Sequence, residues 1–309
     1  MQRVRSLTVV FFKSGWCGFA WLRLFIVFSL LSTSGCAWLD ARQRQMIYRP
    51  TQGEPTSFAG LRPGDERYFV PVPVAQAPQC IEMWWLPHAD KNAPTLLYFH
   101  GTFLTMFQNL HKIEALREAG FSVLALDYRG WGLSTPIIPS EQSIVQDADV
   151  AWTELQRREP RAARRVIYGH SMGSAVAVDV ASRLHANTDY GALILESAFT
   201  SFADVARASG FLAQFLTQFN HERFDSLSKI TLVHAPLLMI HGSQDPLIPL
   251  TLAKKLFAAA HAPKQWLAIE GGEHTDLDQV GHAQYQAALQ RFISDEVMRR
   301  SAPDSLSLP

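Results

Sequence analysis

Apolar, β-branched and aromatic residues recur along this chain in short blocks: Tyr68–Val72, Ile81–Leu86, Thr95–Phe99, Ser122–Leu126, Arg165–Tyr168, Ala192–Leu195, Pro236–Ile240 and Gln265–Ile269. Runs of this length and composition predict β-strands. From the third block onward, longer stretches with helical spacing lie between them, such as Leu110, Ile113, Leu116 and Val176, Val180, Leu184. Strands alternating with helices predict an α/β fold, a mostly parallel sheet covered on both faces. The first two blocks are joined by a short Pro-rich link, too brief for a helical crossover, which predicts an antiparallel pair at one edge. No repeat of fixed period is present.

The flanks and one insertion depart from that rhythm. Residues 37–50 have mixed charge and predict one or two helical turns before Pro50. Residues 51–66, rich in Gly, Pro, Thr and Ser, read as a tether or surface loop. Between the sixth and seventh blocks, "FLAQFLTQF" sets Phe211, Phe215 and Phe219 at steps of four with Leu212 and Leu216 beside them. That spacing places one apolar stripe on a helix, which either packs on the domain body or forms a small lid over a substrate pocket. The expected organisation is a leader over 1–35, a tether and N-terminal segment over 36–66, and a catalytic domain over 67–296. A cap lies at about 201–230, and a fraying tail covers 297–309.

The leader bears on the compartment. Arg3, Arg5, Lys13 and Arg23 accompany an apolar centre from Leu24 to Leu31, followed by small residues that end at Cys36. Charged, apolar, then small is the order of a secretory signal. "LSTSGC" resembles a bacterial lipobox, which implies cleavage before Cys36, lipid attachment to that residue and residence at a bacterial membrane, with Ala37 suggesting the outer one. Thr33 stands where Leu is usual. The alternative is an uncleaved anchor over residues 16–31, with Arg23 inside the span at a cost of about 2.5–3.5 kcal/mol. Of the three cysteines, Cys17 leaves with a cleaved leader and Cys36 takes the lipid, so Cys80 has no disulfide partner.

Charge narrows the partners. Lys+Arg 28 balance Asp+Glu 28, but four of the bases lie in the leader, leaving 24 against 28, or −4. A mildly acidic body gives no electrostatic reason to bind nucleic acid or anionic lipid. The basic cluster Arg157, Arg158, Arg161, Arg164 and Arg165 reads as a solvated helix end and loop, against a phosphate or headgroup site.

The chemistry centres on "VIYGHSMGSAV", where Gly169-His170-Ser171-Met172-Gly173 matches G-x-S-x-G between a strand and a helix. So tight a turn exposes the serine hydroxyl above the sheet and needs small neighbours. A serine needs a base to take its proton and a carboxylate to orient that base. Asp245 follows the seventh block and His274 the eighth, both at strand C-terminal ends, and Glu196 at the end of the sixth is the alternative acid. His100, His170, His241 and His282 are expected to be structural histidines. Two backbone donors are expected for a developing oxyanion, the N–H of Met172 and, in "HGTFLTM", that of Thr102.

These residues, with "LLYFHGTF", "VLALDYRGWGLS", "LESAFTSF", "FDSLSKI" and "HGSQDPLIP", resemble the α/β-hydrolase superfamily from about Tyr68 to Ile293. Within it they are similar to the Bem46 and ABHD17-type branch, related to the serine aminopeptidase-like group. The resemblance implies an eight-stranded sheet, a small cap and serine hydrolase activity, with Ser171, Asp245 and His274 at the triad positions. Relatives often carry Asn where this chain has Thr102, and bulky Phe103, Leu104, Met106 and Phe107 follow it. Motifs for metal, nucleotide or dinucleotide binding are absent, so no cofactor is expected. The leading expectation is a membrane-tethered hydrolase of an ester or thioester with an apolar acyl part. A peptidase, with Glu222 and Asp225 as candidates to hold an amine, and a non-catalytic lipoprotein scaffold are the alternatives. The substrate's identity, acyl length and the oligomeric state are not encoded in any motif.

Overall fold

A computed structural model describes residues 38–75, 77–210 and 222–299. Eight strands form one sheet: β1 (Glu66–Val72), β2 (Gln79–Leu86), β3 (Thr95–Phe99), β4 (Ser122–Asp127), β5 (Arg165–His170), β6 (Ala192–Glu196), β7 (Leu237–Gly242) and β8 (Lys264–Ile269). Their spatial order is β1-β2-β4-β3-β5-β6-β7-β8. β2 runs antiparallel to both β1 and β4, and every other neighbouring pair is parallel. All eight expected strands are present, and the first two do pair antiparallel at an edge.

The continuous apolar runs follow from burial on both faces. In β3, Leu97 and Phe99 join one core cluster while Leu96 and Tyr98 join the other. The same alternation splits β6, with Leu193 and Leu195 on one side and Ala192 and Ile194 on the other. Each Leu, Ile or Phe among them contributes about 1.5–3 kcal/mol on full burial.

Helices cover the two faces. On one lie α1 (Leu110–Glu118) and, later in the chain, a helix at His282–Phe292. On the other lie α2 (Glu141–Arg158) and α3 (Met172–Ser182). α2 starts at a capping box, the Ser140 hydroxyl accepting from the Ser143 amide and the Ser143 hydroxyl from the Ser140 amide. Its buried stripe is Ile144, Ala148, Ala151, Trp152 and Leu155. Shorter helices α4 (Phe202–Ala208), α5 (Ser226–Ile230), α6 (Leu250–Ala259) and α7 (Leu277–Val280) follow, with α8 the His282–Phe292 helix.

β3 lies between β4 and β5, the point where strand order reverses and a crevice opens at the strand C-terminal ends. The loops after β3 and β5 therefore emerge side by side, and those after β6, β7 and β8 follow in order along the same edge.

The compact unit that holds the sheet begins at Arg44, well before residue 67. Residues 51–65 lie on its surface as a loop. Thr51 and Gly53 exchange backbone hydrogen bonds with Gly132, and Phe58 stacks on Trp84 at 5.5 Å. Tyr48 is fully buried against Trp131 and Phe224. Aromatic side chains there outweigh the loop-like composition. The leader, Cys36, the whole apolar stripe and the tail from residue 300 onward lie outside the described residues, and among the described residues no helix is long and apolar enough to cross a membrane.

Candidate active site

Ser171 sits between β5 and α3 with φ 54° and ψ −122°, a conformation L-residues rarely adopt. Both flanking glycines are required. A Cβ on Gly169 would lie 2.1 Å from the Gly173 carbonyl oxygen, and one on Gly173 would lie 2.1 Å from that of Phe99. The turn is held by Ser171 N–H donating to the Glu196 carbonyl (2.9 Å), while the Ser171 carbonyl accepts the Ser174 amide (2.8 Å) and hydroxyl (2.6 Å).

From this serine a hydrogen-bonded chain runs to the two neighbouring loops. Ser171 Oγ is 2.9 Å from His274 Nε2, and His274 Nδ1 is 2.8 Å from Asp245 Oδ2. The other oxygen, Oδ1, accepts the amides of Leu247 (2.9 Å) and Ile248 (2.8 Å). Burial alone would push the Asp245 carboxyl up. The hydrogen bond and charge of His274, with those two amides, outweigh burial and hold it below its ordinary value. The acid therefore stays ionised, and Nδ1 of His274 carries the hydrogen, leaving Nε2 free to accept from the serine.

The loop after β3 brings a backbone donor to the same point. An added Cβ on Gly101 would lie 3.1 Å from Ser171 Cβ, so the two loops touch. His100 is fully buried, which pulls its pKa down to about 4, and its Nδ1–H donates to the Gly101 carbonyl at 2.6 Å. That carbonyl and the Thr102 N–H belong to one trans peptide and point in opposite directions, so pinning one pins the other. Trp131 Nε1–H donates to the Thr102 carbonyl at 2.7 Å and fixes the next peptide. Among the described residues neither the Thr102 nor the Met172 N–H has a protein acceptor, leaving both for a ligand oxygen.

The structure also gives work to residues that read as bland in the sequence. The His170 ring is buried and kept neutral by desolvation, Lys112 and His274. Its Nε2–H donates to the His274 carbonyl at 2.9 Å, and the Ser197 hydroxyl donates to the same oxygen at 3.1 Å. His274 is thus clamped through its own backbone. His241 donates from Nε2 to the Ile248 carbonyl at 3.0 Å, beneath the Asp245 loop, and His282 lies exposed at the surface beside Glu118. Glu196 does not reach His274. Its carboxylate bonds Lys112 Nζ, the Tyr168 hydroxyl and the Tyr285 hydroxyl (2.9 Å), and Lys112 also bonds Asp278 at 3.1 Å.

Glu222 and Asp225 are engaged elsewhere. Glu222 accepts from the Tyr48 hydroxyl and the Glu141 amide, and Asp225 caps α5 through the Ser228 amide at 3.1 Å. The basic cluster is likewise spoken for. Arg157 and Arg158 pair with Glu154, Arg158 also with Glu66, Arg161 with Glu159, while Arg164 and Arg165 bind backbone carbonyls.

Above Ser171 opens a cavity of about 260 Å³ whose apolar wall includes Ile47, Phe103, Phe199, Phe202, Val205 and Ile248, with Ser171 and His274 at its polar end. A larger groove of about 930 Å³ includes none of the three hydrogen-bonded residues, and its charges pair among themselves, as Arg62–Glu114 and His111–Asp278. Among the described residues no group of three or more His, Cys, Asp or Glu side chains could hold a metal ion.

Comparison with known proteins agrees with this architecture. Residues 90–223 match the family described as serine aminopeptidase, S33. An uncharacterized protein of Mycobacterium tuberculosis (strain H37Rv) is 31% identical over 271 residues, 87% of this chain and 93% of its own length. Alpha/beta hydrolase domain-containing protein 17B of Xenopus laevis is 31% identical over 211 residues, covering 66% of this chain and 67% of its own. The esterase Pf2001 of Pyrococcus furiosus superposes with a TM-score of 0.63 at 18% identity, over 81% of this chain and 99% of that one.

Proposed function

This chain belongs to the α/β-hydrolase superfamily, in the branch that contains the domain-containing 17 proteins, and on that premise we propose that it is a serine hydrolase cleaving a carboxylic ester or thioester through an acyl intermediate on Ser171. The observation that carries this is the unbroken hydrogen-bond chain from Ser171 through His274 to Asp245 at the end of an apolar cavity.

His274 Nε2 takes the hydroxyl proton as Ser171 Oγ bonds to the acyl carbon. Asp245 stabilises the imidazolium without accepting the proton. Negative charge on the carbonyl oxygen meets the Met172 and Thr102 amides, and the first of these lies at the N-terminus of α3. Collapse of the tetrahedral species breaks the bond to the alcohol or thiol, which leaves with the proton from His274. Water then enters and its oxygen bonds to the acyl carbon as His274 takes its proton; the bond to Ser171 Oγ breaks as that proton passes to Oγ, releasing the carboxylic acid.

The cavity selects the acyl part. At roughly 30 Å³ per water-sized group, about 260 Å³ holds on the order of eight methylenes, a medium-length chain. An aminopeptidase would need a free carboxylate for the substrate ammonium, and the described lining of this cavity contains none. Glu222 and Asp225, the residues that could have served, hold backbone amides. A non-catalytic scaffold gives no reason to keep the strained serine backbone. We further propose that lipidated Cys36 tethers the enzyme to a bacterial membrane.

The test is a fluorophosphonate probe. Wild type should be labelled on Ser171 and Ser171→Ala should not. Labelling of the alanine variant at wild-type level would remove Ser171 from the reaction.

A further inference from the structure

The mouth of the acyl cavity is apolar where it meets solvent. Phe103 and Leu247 both line the cavity, yet remain 42% and 45% exposed. Met46, next to the lining residue Ile47, is 55% exposed. Single exposed apolar side chains are ordinary on a soluble surface; two at one opening, with a third on the residue beside its lining, are not.

A cation completes the rim. The Arg49 guanidinium lies 5.2 Å from the centre of the Phe103 ring, and its Nε–H donates to the Met46 carbonyl at 3.4 Å. It has no carboxylate partner among the described residues. Most other arginines of this domain are bound to acids, so an unpaired one stacked on an exposed aromatic stands apart. An aromatic ring flanked by aliphatic side chains and an arginine is suited to the boundary between acyl chains and phosphate headgroups.

Chain length brings that boundary within reach. Only residues 37–46 separate Cys36 from Ile47. However that segment is arranged, an extended chain spans at most about 3.6 Å per residue, so a lipid on Cys36 keeps the mouth within about 40 Å of the bilayer. Thrown into contact repeatedly, a weakly apolar rim suffices to seat.

We infer that Met46, Arg49, Phe103 and Leu247 form a docking surface for a phospholipid bilayer, and that the enzyme takes its acylated substrate directly from that bilayer into the cavity. This rests on the hydrolase and lipid-anchor readings above, and it adds the orientation of the domain and the substrate's source. With the rim seated, an acyl chain passes from the lipid phase to the cavity without exposure to water, so its methylenes stay dry throughout the transfer. Arg49 would meet a headgroup phosphate at the same depth.

The experiment reconstitutes the full-length protein in phosphatidylethanolamine–phosphatidylglycerol vesicles containing a diazirine-bearing phospholipid, followed by irradiation and peptide mapping. Leu232 is the internal control, since it is 58% exposed but lies before β7, at the opposite edge of the sheet. Peptides containing Met46, Phe103 and Leu247 should carry several-fold more lipid than the Leu232 peptide. In a Met46→Glu/Arg49→Glu variant, shown folded by its thermal melt, labelling of the Phe103 peptide should fall several-fold. Rim peptides labelled no more than Leu232, or labelling indifferent to the double variant, would overturn the docking surface. The same sample treated with fluorophosphonate in detergent reports Ser171 separately. An inert Ser171 with a labelled rim would fail the hydrolase reading alone, and a reactive Ser171 with an unlabelled rim would fail the docking surface alone.

Discussion

The floor beneath Ser171 and the roof above it are built from opposite materials. Below, Lys112, Glu196 and Asp278 are buried with Tyr168 and Tyr285 in a network whose charges meet at hydrogen-bond distance. Above, the cavity wall is almost wholly apolar and partly open. Ionic contacts inside protein are directional and intolerant of displacement, whereas an apolar wall accepts variation in shape. Under the proposed function, the floor fixes where reacting atoms sit and the roof decides which acyl groups arrive. Substitutions in the first should act on kcat and stability, those in the second on substrate preference.

The largest effect is expected at the junction of the two. Asp245→Asn keeps the loop shape but favours the wrong tautomer of His274, so kcat should fall by about 10⁴ with the melting curve little changed. Steady-state kinetics with a p-nitrophenyl ester beside a thermal melt checks both halves.

Next comes the floor itself. Lys112→Met leaves two carboxylates buried without their cation, at a cost of about 3–5 kcal/mol in stability. Adding Glu196→Gln should recover part of that loss, and a double-mutant cycle by urea unfolding measures how much. Strict additivity would mean the network is not coupled.

The floor also has a pH signature. Burial raises the Asp278 carboxyl, but His111 and Lys112 outweigh it and hold the folded value at about 2. The unfolded value is about 3.9, so its stabilisation is complete above that pH and is lost as pH falls toward 2. Asp278→Asn should thus destabilise by on the order of 2 kcal/mol at pH 7 and by little near pH 2. Equal losses at both would show that the carboxylate charge is not what matters.

A smaller effect tests the clamp on the base. His170→Phe removes one hydrogen bond from the His274 carbonyl and should lower kcat about fivefold with KM nearly constant, in line with a bond worth about 1 kcal/mol. His170→Gln, which keeps a donor, should restore part of it. A change confined to KM would remove His170 from any positioning role. Smallest is the roof: Phe202→Ala should shift the ratio of octanoate to butyrate hydrolysis only a few-fold, within the 1–3 kcal/mol that apolar pockets can discriminate.

Much of this was legible in the sequence because it is local. The strand runs, the glycines around Ser171 and the order of Asp245 and His274 are contiguous patterns set by backbone geometry. What escaped was set by partners far along the chain. Glu196 stands as an alternative acid until its carboxylate is seen on Lys112 and the two tyrosines. His170 reads as packing, since nothing near it announces the carbonyl of His274. "DYRGWG" names a family but not the bond from Trp131 to Thr102. Residues 51–66 read as either a tether or a surface loop because Gly, Pro and Ser dominate them, and Phe58 and the exchange with Gly132 decide for the loop by securing them to the domain. The sequence signal for those was a single aromatic residue in a polar stretch.

The central claim is that Ser171 carries the acyl group during turnover. Enzyme mixed with p-nitrophenyl octanoate and quenched in acid within the first turnover should gain the mass of one octanoyl group. Digestion should place that mass on the peptide containing Ser171, and Asp245→Asn should abolish its rapid accumulation. An acyl mass on another residue, or hydrolysis at wild-type rate by Ser171→Ala, would contradict the account.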